Sequence, residues 1–138
     1  MENILKGYLD ELEQEYGRKN VKITYTECKV DKDNKVPKVL KYLYNIIDRA
    51  EFPFGEIFSI EEALEESKGR PFYPNWFVFG SDYYSTYWLC SYTPDNKGLS
   101  FLTWDNASPE IGEATRGDIT SFLKKLEKRY LRRKSFEM

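Results

Sequence analysis

The sequence predicts an α+β fold: a single domain with a mainly antiparallel central sheet and helices from both ends of the chain packed on it. Three observations predict it. Apolar residues recur at helical spacing near the start and again from residue 119, while the strand-like runs gather in the middle. The segment TPDNKG, Thr93 to Gly98, has the Pro, Asp, Asn and Gly of a hairpin connection between two of those runs. The regular βαβ alternation of a doubly wound sheet is missing, and 138 residues suit one core.

Ile4, Leu5, Tyr8, Leu9, Leu12 and Tyr16 define the first helix, and Gly17 follows at a natural C′ position. In VKITYTECKV, Val21, Ile23 and Tyr25 alternate with Lys22, Thr24 and Thr26, the pattern of a half-exposed strand at or near a sheet edge. DKDNK, Asp31 to Lys35, is the turn after it. Pro37 then opens a second helix whose apolar face, Val36, Val39, Leu40, Leu43, Ile46, Ile47 and Ala50, continues through Asp48 and Arg49 until FPFG, Phe52 to Gly55, ends it. Ser59 and Glu62 form a capping box for a short acidic helix, Ile60 to Ser67, closed by Gly69 and Pro71.

Trp76, Phe77, Val78 and Phe79 are apolar on both parities, as in a central strand covered on both faces. Gly80-Ser81-Asp82 turns the chain. Thr86 to Tyr92 and Leu99 to Trp104 are two further strands, and Asp105 to Gly117 reads as a loop. Asp118 caps a last helix with Ile119, Phe122, Leu123, Leu126, Tyr130 and Leu131 on one face, and the tail from Arg132 to Met138 is expected to fray.

The composition, 41% apolar and 32% charged, is that of a globular protein, and 17% aromatic residues suit a half-wet core or a recognition surface. The charged, amphipathic start has neither the basic nor the apolar region of a signal peptide, so a cytoplasmic location is expected, with no membrane partner. Cys28 and Cys90, without CxxC spacing, are then two reduced thiols. The formal charge of −2 conceals an uneven distribution. Residues 51–118 carry four Lys/Arg against twelve Asp/Glu, and residues 119–138 carry seven against two. An acidic middle repels nucleic acid and favours a basic partner, while cations near the end of a helix complement its dipole.

The chain contains no histidine, which removes Ser-His and Cys-His nucleophilic pairs and most zinc sites. It has no GxxxxGK[ST] or GxGxxG phosphate loop. Ser121 and Lys124 match S-x-x-K without its partner motifs. A pair among Asp82, Asp95 and Asp105 would suit glycosidase-type chemistry, but turns explain them more simply. Glu61, Glu62, Glu65 and Glu66 read as a solvated helix face rather than metal ligands. The residues therefore point to a protein that is not an enzyme, with no cofactor and no metal.

The order of several segments carries a resemblance. FGEIFSIEEAL (Phe54 to Leu64), WFVFGSD (Trp76 to Asp82), YWLCSY (Tyr87 to Tyr92), LSFLTWD (Leu99 to Asp105) and ITSFLKKL (Ile119 to Leu126) together resemble the SUKH superfamily of Smi/Knr-type domains. Gly55, Ile57, Ser59, Glu61, Phe79, Gly80, Ser81, Asp82, Trp104, Asp105, Phe122 and Leu123 fall on its pattern. Two features depart from it: Tyr83-Tyr84-Ser85 stands where glycines are usual, and the early "LP-dY" survives only as Val36-Pro37 through Tyr42.

The resemblance implies a non-enzymatic bacterial immunity protein that binds and neutralises a cognate toxin. An adaptor of the same fold with a cellular protein partner is the alternative. The expected partner-binding face comprises Asp82, Tyr83, Tyr84 and Tyr87, with Asp105, Glu110 and Glu113 as an acidic rim suited to a basic toxin. Packing is the competing account of the tyrosines, since either Tyr87 or Trp88 must face the core.

Overall fold

A computed structural model describes residues 2–26, 36–68, 76–84, 86–92, 100–105, 111–115 and 117–137. The predicted turns at residues 31–35, 69–71 and 93–98, together with Cys28, lie outside these. Seven strands, β1 (Lys22–Tyr25), β2 (Ile47–Phe52), β3 (Gly55–Ile57), β4 (Trp76–Ser81), β5 (Thr86–Ser91), β6 (Phe101–Asp105) and β7 (Ile111–Thr115), form one sheet. Each pairs antiparallel with its neighbours in sequence. The helices are α1 (Glu2–Tyr16), α2 (Lys41–Ile46), α3 (Ile60–Ser67) and α4 (Ile119–Glu137). The α+β class, with helices at both ends of the chain, is the one the sequence predicts.

Local chemistry accounts for most boundaries. Gly17, at φ +83°, ends α1 and donates its N–H to the Glu13 carbonyl at 2.9 Å. The Ser59 side chain accepts from Glu62 N–H while the Glu62 carboxylate accepts from Ser59 N–H, so the capping box forms at the predicted place. Asp118 Oδ1 accepts from Ser121 N–H at the start of α4.

Three expectations need correction. The segment predicted as one helix from Pro37 to Ala50 is a 3₁₀ turn at Lys38–Leu40, then α2, then β2. Ile47 takes an extended conformation, and Lys22 to Tyr25 pair with Glu51 back to Ile47. Ile47 and Ala50 are three apart, a helical rather than an alternating spacing, and both are buried in β2 because the register shifts between Arg49 and Ile47; strand pairing decides. FPFG is correspondingly a tight hairpin, with Phe52 opposite Gly55. The predicted loop from Asp105 to Gly117 contains β7, whose residues pair with β6. Finally, α4 continues through Glu137, past the Arg132 at which fraying was expected.

β4 is the middle strand, and Phe77, Val78 and Phe79 are all fully buried. Phe79 is the extra residue of a bulge between Val78 and Gly80. Its ring lies 5.8 Å from Phe101, 6.0 Å from Phe122 and 6.2 Å from Trp88. α4 therefore docks on the sheet face that carries Trp88 and Phe101. The short β3 leaves the Trp76–Phe79 part of β4 without a strand on that side, and α3 takes the place. Phe58 N–H donates to the Phe79 carbonyl, and Val78 N–H donates to Ser67 Oγ at 2.9 Å. Covering a sheet edge in this way satisfies its backbone groups and keeps other chains from pairing with it.

The terminal helices are tied together by one carboxylate. Tyr8 Oη donates to Glu127 Oε1 at 2.9 Å and Tyr16 Oη donates to Glu127 Oε2 at 2.8 Å, so α1 is clasped to α4. Burial, and after it Glu127, raises the pKa of both phenols, which therefore stay protonated donors at neutral pH.

Truncating the central ring should be costly. Phe79→Ala is expected to lower the unfolding free energy by about 3–5 kcal/mol, because it empties the junction between β4, β6 and α4. Urea denaturation measures this, and parental stability would be incompatible with the packing of Phe79.

Candidate functional site

A cleft of about 310 Å³ opens between α4 and two turns, the β2–β3 hairpin at Pro53 and Phe54 and the β4–β5 turn at Asp82 to Tyr84. Trp88 and Phe54 form its base, with ring centroids 6.3 Å apart, and Phe54 lies 6.3 Å from Tyr130. Along α4, Leu126, Arg129, Tyr130, Arg133 and Lys134 face it, the i, i+3, i+4, i+7 and i+8 spacing of one helical stripe. Lys134 Nζ lies 5.4 Å from the centre of the Tyr130 ring.

The β4–β5 turn is held firmly. Asp82 Oδ1 accepts from Tyr84 N–H at 2.9 Å and from Thr86 N–H at 3.2 Å, and Asp82 N–H donates to the Thr86 carbonyl at 3.1 Å. This is the ordinary use of Asp in a turn. Tyr83 adopts φ +74°, a left-handed conformation that is unfavourable for a bulky residue. Its hydroxyl donates to the Phe52 carbonyl at 2.8 Å, which ties the turn to the β2–β3 hairpin. Burial, then the nearby Glu51 and Glu56, push the Tyr83 phenol up to about 12. Tyr84, next in the chain, is 82% exposed.

The predicted partner-binding residues do not all come together. Asp82, Tyr83 and Tyr84 share the wall of the cleft. Tyr87 pairs with Ser81 and Trp104, and alternation places it on the opposite sheet face from Trp88. Asp105 sits at the end of β6 opposite Thr86. Glu113 falls on β7, and Glu110 lies outside the described residues.

The acids nearest Tyr83 come from elsewhere. Arg49 bridges Glu51 at 3.3 Å, Glu56 at 2.9 Å and Glu62 at 3.0 Å, joining β2, β3 and α3. Burial raises the Glu56 pKa more than Arg49 lowers it. At Glu62 desolvation is outweighed by the Ser59 N–H and Arg49, and the carboxyl is held low. One guanidinium among three glutamates leaves this surface negative, and Glu61, Glu65 and Glu66 of α3 extend it. The sequence reading places the charge in the right segment, but only the β2–β3 hairpin reveals that these acids adjoin the Tyr83 turn. The α4 stripe is missed because Arg129, Arg133 and Lys134 read as ordinary helix-end cations.

Among the described residues that line the cleft there is no Ser, Cys or His. Cys90 is a buried free thiol whose pKa burial raises well above the usual range, the opposite of an activated nucleophile. Among the described residues no three His, Cys, Asp or Glu side chains gather as metal ligands, and no helix is long and apolar enough to cross a membrane. Searches of protein-family models, curated proteins and solved structures find no match to this chain.

The Tyr83 hydroxyl bond supplies a pH-dependent test. Tyr83→Phe is expected to cost about 1 kcal/mol at neutral pH, the net worth of one hydrogen bond. The folded pKa of about 12 lies above the ordinary 10.0, so this contribution is complete below pH 10.0 and disappears as pH rises toward 12. Denaturant unfolding of parent and variant should therefore converge over that window; a gap that persists above it would show that the phenol proton is not involved.

Proposed function

We propose that this chain is a non-enzymatic immunity protein, of the SUKH type its sequence resembles, that neutralises a cognate bacterial toxin by stoichiometric binding. The observation that carries the reading is Tyr84, an exposed aromatic side chain on a turn locked by the Asp82 hydrogen bonds and by Tyr83. A large exposed ring on a rigid support suits a binding anchor, because little conformational freedom is lost when it is buried against a partner. Strain at Tyr83 points the same way: a glycine would adopt that conformation freely, yet the chain keeps a tyrosine there. The acidic surface of β2, β3 and α3 adjoins the turn, so a toxin with a basic face would be attracted toward it.

The resemblance itself bears mainly on fold. Gly55, Gly80 and Phe122, which carry part of it, all meet around Trp88 and are used for packing. The toxin reading therefore needs a functional test. The probe is the C-terminal domain of a secreted protein encoded directly upstream of this chain's gene. A one-to-one complex is expected, and Tyr84→Ala should weaken it by about 2 kcal/mol, roughly thirty-fold, without moving the melting temperature. Failure of that domain to bind, or an isolated gene with no such neighbour, would count against immunity and favour the adaptor role with a cellular partner.

Charge gives a second prediction. If the glutamates around Arg49 and along α3 steer the partner, added salt should slow association markedly and change dissociation little. Stopped-flow mixing over a range of ionic strengths measures both rates, and an association rate indifferent to salt would rule steering out.

A further inference from the structure

We infer that the cleft between α4 and the 82–84 turn is a binding site for a small anion carried on an aromatic ring, the anionic group being a carboxylate or a phosphate. This site is independent of the toxin reading, since it uses a different wall of the cleft and the opposite charge.

Size sets the first limit. A volume of about 310 Å³ lies at the lower end of ligand sites, enough for a ring with one charged substituent and too small for a dinucleotide. The base is aromatic and apolar, with the rings of Phe54, Trp88 and Tyr130 and the aliphatic side chain of Leu126 against which a planar ligand can pack.

Charge sets the second. Arg129, Arg133 and Lys134 stand on one wall, while Asp82 is the single carboxylate among the described residues that line the cleft. Its Oδ1 already accepts two turn amides. Among the residues whose side chains are described, no carboxylate pairs with Arg129 or Arg133, although the chain as a whole is acidic and pairs Arg49 with three glutamates at once. Guanidinium groups bind carboxylate or phosphate through two parallel hydrogen bonds, so two arginines one helical turn apart suit one bulky anionic group.

The helix dipole does not account for this arrangement. Its influence is confined to the last turn, and Arg129 lies about two turns before the end of α4 at Glu137. What the dipole leaves unexplained is that Arg129 and Arg133 share the Tyr130 side of the helix and face an open aromatic floor.

Titration calorimetry with phenylacetate, phenyl phosphate, benzyl alcohol and inorganic phosphate tests the site, together with the indole N–H signals of the three tryptophans in nuclear magnetic resonance. The two aryl anions are expected to saturate and to move the Trp88 signal more than those of Trp76 and Trp104. Benzyl alcohol, lacking charge, and inorganic phosphate, lacking the ring, should each bind at least about ten-fold more weakly. Tighter binding of phenyl phosphate identifies a phosphate headgroup and tighter binding of phenylacetate a carboxylate; either result supports the site. The Arg129→Gln, Arg133→Gln double variant should lose at least about ten-fold in affinity at an unchanged melting temperature, with partial recovery in the corresponding double lysine variant. Absence of saturable binding by both aryl anions, equal binding of benzyl alcohol, or full affinity in the double glutamine variant would each overturn the assignment.

Discussion

The Trp88 ring lies flat against two glycines, and the rest of the fold is arranged around that contact. A side chain at Gly55 would clash with the indole and with the Ser81 carbonyl, and one at Gly80 would clash with the indole and the Glu56 carbonyl. Gly55 also adopts φ +150°, which bulkier residues rarely do. The absence of two β-carbons therefore allows β3, β4 and β5 to lie side by side beneath a buried tryptophan. Phe79 and Phe122 pack on the same ring from β4 and α4. Through this one residue the β2–β3 hairpin, the bulge in β4 and the docking of α4 depend on one another, and the floor of the cleft is set by the same packing.

How much of this was legible in the sequence differs from element to element for physical reasons. Gly17, the Ser59–Glu62 box and the doubly apolar Trp76 to Phe79 run are local signals; the first two hold, and the third holds for Phe77 to Phe79 while Trp76 is partly buried. Around the start of β2, Ile46, Ile47 and Ala50 fit the helical period, whereas what makes the segment a strand is pairing with β1 and β3. β7 gives no strong signal of its own, since IGEAT has little apolar alternation and is ordered by pairing with β6. In the candidate site the sequence predicts the turn at Gly80 to Asp82, but Gly80 and Ser81 of β4 pair with Trp88 and Tyr87, and the chain turns from Asp82 onward. The sequence groups Tyr87 with Asp82, Tyr83 and Tyr84, but the pleat of β5 directs it to the sheet face opposite Trp88. The basic wall comes from residues more than forty positions downstream of the turn, and no pattern in either segment announces the other.

The two charged regions are separated in space as well as in sequence. Glutamates of β2, β3 and α3 collect around Arg49, while Arg129, Arg133 and Lys134 of α4 line the cleft. The 82–84 turn stands between them, with the Tyr83 phenol influenced by Glu51 and Glu56 while Tyr84 borders the cleft. A partner docking on the turn would meet unlike charge on either side of it. Such a dipolar surface fixes the orientation of an approaching partner more strongly than its net charge of −2 suggests.

The Glu127 clasp has a consequence for the order in which the molecule assembles. Every strand pairs with its neighbour in sequence, so each hairpin closes a modest loop and the sheet can grow in the direction of synthesis. Tyr8 and Glu127, by contrast, are 119 residues apart. α1, whose Leu5, Leu9 and Leu12 are buried in the folded molecule, precedes α4 by the whole sheet, so its partner is made only after all seven strands. The clasp is therefore a long-range closure that follows the local pairing of the strands between its two halves.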